Sequence, residues 1–227
     1  LTSKEHFDIG ATTDLAFPNK WLTADELPGF REFMESLFET MEHVNRSILQ
    51  ALELGFGLPP NTFTDKCSHM GNASEFRVTH YPGISVEEMK NGHTSRIWPH
   101  TDLGVITLLL QDSVGGLEFQ DRKHPSNFLP VESNNPAEMI VSVSETLQRW
   151  TNDALPAAVH RVTLPAALKG QQDGILRARY SAAYFCKADR ETSVGPIKQF
   201  VGPQENGAKY ADMSAIEYHK QRLATAY

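Results

Sequence analysis

Cysteine is nearly absent from the 227 residues: Cys67 and Cys186 are the only two, and they stand far apart in the chain. That excludes a disulfide framework and a thiolate metal site, and it fits a reducing compartment. No apolar run approaches the roughly 18 residues of a membrane span, and no secretory leader pattern opens the chain, so a cytoplasmic protein is expected. Basic residues are in deficit, with 21 Lys and Arg against 28 Asp and Glu and a formal net charge of −7. That balance argues against nucleic acid or an anionic membrane as a partner. Internal repeats and low-complexity segments are also lacking. What is present, 40% hydrophobic and 22% charged residues, is the composition of one globular domain long enough for a substantial core.

The apolar residues follow two periods. Phe30, Phe33, Met34, Leu37, Phe38, Met41, Val44, Ile48, Leu49 and Leu52 recur at steps of three and four, with polar residues between them. This predicts a long helix over about 29–54, stopped by Gly55, Gly57 and Pro59-Pro60 and packed on the protein's own core. Thr23-Ala24-Asp25-Glu26 and Ser214-Ala215-Ile216-Glu217 have the form of capping boxes. The first would open a short turn. The second would open a C-terminal helix at about 214–225 with Ile216, Leu223 and Tyr227 on one side. Residues 1–22 show no clear period. From Glu75 onward the period is two or the runs are short and β-branched. Strands are predicted over Glu75–Tyr81, from near His100 to Leu110, and over Gly116–Phe119, Ala137–Val143, Val159–Leu164 and Ile175–Phe185, with a surface loop at 121–130. Many short strands between Gly/Pro turns indicate a sandwich, jelly roll or barrel, mainly β with flanking helices.

The chemistry concentrates at Trp98-Pro99-His100-Thr101-Asp102. If the following strand reaches back to His100, residues 100 and 102 share a face and Thr101 turns aside. An imidazole beside a carboxylate supplies two of the three ligands of a facial iron site, and the third would be a distant His. His6, His43, His69, His93, His124 and His219 sit in polar or helical surroundings and read as solvated. His160 lies within a predicted strand, where a buried imidazole needs a partner, as a structural residue or as a ligand. On the last strand Arg179 and Ser181 share a face, and a guanidinium fork beside a hydroxyl suits a carboxylate. Arg77, Thr79 and Tyr81 form a wholly polar strand face, which is either solvent-exposed or lines a cavity.

His100-Thr101-Asp102, His160 in His-Arg-Val and Arg179-Tyr180-Ser181 together resemble the pattern of the iron(II)- and 2-oxoglutarate-dependent oxygenases of the isopenicillin N synthase-like group. The stretches 4–10, 106–117, 147–153 and 221–227 fit the same group, most like its microbial and fungal thymine hydroxylase-like members. The resemblance implies a single domain over 1–227, with a helical support region at 1–74, a double-stranded β-helix (jelly roll) core at 75–200 and a C-terminal helix within 201–227. It implies Fe(II) on His100, Asp102 and His160. It also implies 2-oxoglutarate on Arg179 and Ser181 with a hydrogen bond from Tyr81, and O₂ as the second co-substrate. The Arg77 face then turns toward a cavity, and Arg77, Leu103 and Phe185 are candidates for the substrate side.

The activity so implied is oxidation of a small organic molecule, in the first place hydroxylation and in a secondary-metabolic setting, with succinate and CO₂ as co-products. Oxidative cyclisation, desaturation and ring rearrangement are alternatives at the same iron. A jelly-roll binding protein that keeps the ligands without catalysis is the alternative from another class. The sequence departs from the group's pattern at Ser144-Glu145, where Gly-Asp is usual, at Leu103, where an aromatic residue is common, and at Thr79, where Asn is common. The helix-and-strand region that opens the relatives is also expected to be missing.

Overall fold

The computed structural model describes residues 4–69, 71–132, 135, 137–202 and 207–226. The expected mainly β fold with flanking helices is what forms. Its larger sheet has five antiparallel strands, β1 (Glu5–Gly10), β2 (Glu75–Tyr81), β5 (Ile106–Gln111), β8 (Ile140–Val143) and β11 (Arg179–Phe185), in the order β1-β2-β11-β5-β8. A second antiparallel sheet holds β4 (Ile97–His100), β6 (Leu117–Gln120), β7 (Phe128–Pro130) and β9 (His160–Val162), in the order β4-β9-β6-β7. A two-stranded ribbon joins β3 (Ile84–Ser85) to β10 (Ile175–Leu176).

Strand alternation decides what lies on each side of the larger sheet. Ile9, Phe76, Leu108 and Tyr184 are fully buried on one face, in one core with Met34, Phe38, Met41 and Leu49 of α1 (Phe30–Gly55). Each of these eight side chains takes a few kcal/mol or less from burial, roughly 1.5–3 kcal/mol for a large apolar residue, and the sum fixes α1 across the sheet. The opposite face carries Thr79, Ser181 and Gln111 in one register row and Arg77, Ala183 and Leu109 in the next. That face looks across a cavity to Ile97, Phe119, His160 and Val162 of the smaller sheet. Two facing antiparallel sheets around a cavity make the jelly roll.

The path between the sheets positions the chemistry. β4 ends at His100 in the smaller sheet and β5 starts at Ile106 in the larger, so residues 101–105 cross over. Asp102 is therefore in a crossover loop, and the strand does not extend from His100 to Leu110 as expected. The loop is pinned all the same. Val105 N–H donates to the Cys186 carbonyl at 2.7 Å, and the loop carbonyls of Asp102, Gly104 and Val105 accept from the N–H groups of Glu145, Thr146 and Ser144 at 2.8–3.0 Å. These three donors lie at the start of α3 (Glu145–Trp150). A Cβ at Gly104 would sit 2.2 Å from the Cys186 carbonyl oxygen, so only glycine permits this approach.

Other local readings need adjustment. β1 lies in the stretch without an assigned period and belongs to the larger sheet, so residues 1–74 are not helical support alone. Phe128–Pro130 of the expected loop pairs with β6, and the expected strand Ile175–Phe185 breaks after Leu176 because β10 pairs with β3 while β11 joins the larger sheet. The strand expected from Ala137 starts at Ile140. The Thr23 N–H and Oγ1 both donate to Glu26 Oε2, and the segment forms the expected short turn. A true box at Ser85 and Glu88 opens α2 (Val86–Lys90), and Ser214 with Glu217 opens α4 (Ala215–Ala226). Tyr227 lies outside the described residues. Cys67 and Cys186, distant in sequence, meet in the core as free thiols, and the contact with Cys186 together with burial pushes the Cys67 thiol well up. Among the described residues no helix is long and apolar enough to cross a membrane.

Candidate active site

His100 and His160 are register partners at the β4–β9 edge, with ring centroids 4.3 Å apart. The Nδ1 atom of each faces a backbone carbonyl two residues earlier, Trp98 at 2.9 Å and Ala158 at 3.1 Å. A carbonyl only accepts, so both rings carry their proton on Nδ1 and leave the Nε2 lone pair open. Those Nε2 atoms lie 3.7 Å and 4.0 Å from Oδ1 of Asp102. The ligating atoms of the three side chains all fall within 4.8 Å of one another. Burial lowers the His100 pKa and the neighbouring His160 lowers it further, which favours the neutral, ligating imidazole. The second carboxylate oxygen of Asp102 accepts from Thr107 Oγ1 at 2.6 Å, fixing which oxygen faces the histidines. Thr107→Val should keep the fold, since the two side chains are nearly isosteric. It should weaken divalent-metal affinity by about 10- to 100-fold, as losses of such outer hydrogen bonds do, and metal titration of the purified variant would read this.

The other end of the cavity is built by β11 and β2. Arg179 is 1% exposed, donates to Gln111 Oε1 at 2.7 Å and stacks its guanidinium carbon 5.1 Å from the Tyr81 ring centre. Its Nε–H is buried with no hydrogen-bond partner among the described residues. Burial lowers the Arg179 pKa, partly offset by Tyr81 and Asp112. A buried cation with an orphaned donor and no hydrogen-bonded carboxylate is incomplete on its own. Ser181 stands two residues on, on the same face, opposite Thr79 and Gln111. One cavity of about 630 Å³ runs from His100, Asp102 and His160 to Arg179, Ser181 and Tyr81. Its size suits a small organic molecule together with a short dicarboxylate.

The sequence profile of the 2OG-Fe(II) oxygenase superfamily matches residues 73–188. The chain belongs to that superfamily. It is 45% identical over 225 residues to the 2-oxoglutarate-dependent dioxygenase ecdK of Aspergillus rugulosus, a match that spans 99% of this chain and 67% of ecdK. It is 41% identical over 227 residues to the proline hydroxylase buaE of Petromyces alliaceus, spanning 100% of this chain and 69% of buaE. Among solved structures, a full-length Neurospora crassa protein in complex with alpha-KG and thymine superposes with a TM-score of 0.87 at 31% identity, covering 100% of this chain and 66% of that one. The chain thus spans 61–69% of the length of such curated relatives.

The superfamily's metal and co-substrate both fit the residues present. Two neutral imidazole nitrogens and one carboxylate oxygen on one side of a cavity form the donor set of a facial iron(II) site with open positions. The orphaned Arg179 Nε–H offers a 2-oxoglutarate carboxylate the donor it lacks in the protein. As an oxygenase-superfamily member, the chain places every sequence-expected residue on this cavity wall, including Arg77, Leu103 and Phe185. Arg77 is held there by a two-point pair with Asp8 at 2.7 and 2.6 Å and lies over the Phe185 ring.

Some contributors went unread. Gln111 and Thr107 orient Arg179 and Asp102 from β5, and an alternation count along Thr107, Leu109 and Gln111 would have put both on the cavity face. Arg96 is 2% exposed and its guanidinium lies 5.8 Å from the other side of the clamp, the Tyr81 ring centre; burial and Arg179 lower its pKa to about 10. Glu145, at the departure from Gly-Asp, accepts from Thr101 between the metal-facing residues and from Tyr218 and Arg222 of α4. No local signal in the sequence marks that long-range cluster.

Proposed function

We propose that the chain is the catalytic portion of an iron(II)- and 2-oxoglutarate-dependent dioxygenase that hydroxylates a small organic molecule, in keeping with the fungal dioxygenases and the proline hydroxylase it resembles. The carrying observation is the convergence of two open Nε2 atoms and the Asp102 carboxylate at one end of a cavity whose other end holds a buried, incompletely partnered guanidinium. In this reading His100, Asp102 and His160 hold the iron, Arg179 and Ser181 hold the far carboxylate of 2-oxoglutarate, Tyr81 hydrogen-bonds the co-substrate, and Arg77, Leu103 and Phe185 border the substrate. Bound iron(II) supplies the redox chemistry that joins decarboxylation of 2-oxoglutarate, to succinate and CO₂, with transfer of one oxygen atom of O₂ to the substrate.

The protein's own work is positional. Thr107 holds one Asp102 oxygen, the two backbone carbonyls hold the imidazole tautomers, and the apolar wall of Leu109, Leu117, Phe119 and Val162 keeps water from the reacting centre. The test is succinate release from 2-oxoglutarate under air, with and without iron(II) and with a chelator. Turnover that needs both iron(II) and 2-oxoglutarate is expected. Tight binding of both without any succinate would leave a non-catalytic binding protein.

A further inference from the structure

Among the described residues, the cavity wall carries three cations besides Arg179, namely Lys4, Arg77 and Arg222, whereas Asp102 is its only acid. Arg77 is neutralised by Asp8, and Arg222 makes a two-point pair with Glu145 at 2.9 and 2.8 Å. Lys4 has no hydrogen bond or ion pair recorded among the described residues. Its ammonium is half-buried, and burial together with the Arg77 charge lowers its pKa, with Asp8 only partly restoring it. Lys4 lines the same cavity wall as His100 and Leu103. Charge balance sharpens the point. Asp102 is assigned to iron(II), 2-oxoglutarate to iron(II) and Arg179, and Arg77 and Arg222 have their own acids, so among the described cations that line the cavity Lys4 is the one with no hydrogen-bonded counter-charge. A half-buried ammonium without an ion-pair partner is favoured by an anion that reaches it. Around it the wall is apolar, with Leu103, Phe185 and Leu223.

We infer that the substrate is a carboxylic acid whose carboxylate ion-pairs with Lys4 and whose apolar body packs against Leu103, Phe185 and Leu223. This rests on the oxygenase reading above, with 2-oxoglutarate held at Arg179. Lys4 is then a substrate-binding residue that selects for charge, and the carbon to be oxidised lies a short chain away from the acid group.

The full chain, loaded anaerobically with Mn(II) and 2-oxoglutarate, is titrated calorimetrically with a panel of arylalkanoic acids and, in parallel, with their primary amides. The acids should bind about tenfold or more tightly than the amides, the value of a charge-assisted contact, and Lys4→Met should erase that preference. Its 2-oxoglutarate affinity should stay within about twofold, since the co-substrate is assigned to Arg179 and Ser181 and not to Lys4. Amides that bind as well as acids, no binding by any acid, or an acid preference that survives Lys4→Met would each overturn the inference. Failure of the wild-type chain to bind 2-oxoglutarate would overturn the oxygenase reading itself; normal 2-oxoglutarate binding without an acid preference overturns only the Lys4 assignment.

Discussion

Asp102→Ala is expected to abolish iron binding and succinate formation together. Asp102 is the hub of the centre: one oxygen lies 3.7 and 4.0 Å from the two histidine Nε2 atoms, and the other is held by Thr107. Among the described residues it is also the only acid that lines the cavity, and its loop is pinned by backbone hydrogen bonds to Glu145, Thr146 and Ser144. Two neutral imidazoles alone bind iron(II) poorly, and the loss should exceed the roughly 10- to 100-fold typical of removing an outer partner. Asp102→Asn separates ligand loss from unfolding. The amide keeps the shape and can still accept from Thr107, so the melting temperature of the metal-free protein should hardly change while iron stoichiometry collapses. Full iron content and an undiminished succinate rate in either variant would remove Asp102 from the metal centre.

For Arg179→Ala the expected result is a rise of about 30- to 1000-fold in the 2-oxoglutarate concentration needed for half-saturation, with iron affinity nearly unchanged. The range corresponds to about 2–4 kcal/mol for stripping a buried anion of its charged partner. Gln111 cannot substitute, because its amide loses its own partner at the same time. Arg179→Lys should recover only part of the loss, since an ammonium does not reproduce the planar fork. Isothermal titration with 2-oxoglutarate under anaerobic conditions, with Mn(II) in place of iron, separates this binding effect from turnover. A shift below about threefold would place the carboxylate clamp elsewhere.

The two elements read most accurately from the sequence, α1 and β2, are those with an unbroken period. The apolar stripe from Phe30 to Leu52 and the alternation from Phe76 to Tyr81 run to clear Gly and Pro stops, and both ends fall within a residue of the observed bounds. β1 shows the same alternation, with Phe7 and Ile9 inward to the core and His6 and Asp8 outward, but over so few residues that it passes for loop. Alternation brings His100 and Asp102 together by supposing one strand, whereas the structure achieves it by a crossover that Gly104 makes possible and four backbone hydrogen bonds hold. A two-residue spacing is satisfied by either path, so periodicity could not decide between them. The clamp at Arg179 was visible through its i, i+2 partner Ser181. Gln111 is legible only through the alternation along β5, and Glu145 is not legible, because its partners come from α4 and pair spacing along the chain carries no trace of them.

The division of labour between the two sheets has a metrical consequence. Under the proposed roles, the smaller sheet and its crossover hold the iron end of the co-substrate, and the larger sheet holds its far carboxylate through Arg179 on β11. On that assignment the span between the two grips is set by how the sheets face each other across the cavity that Leu109, Leu117 and Val162 line. The jelly roll would then work as a gauge for a dicarboxylate of one length. A keto diacid one methylene shorter or longer is expected to satisfy either jaw but not both, and selectivity for chain length would lie in the sandwich itself.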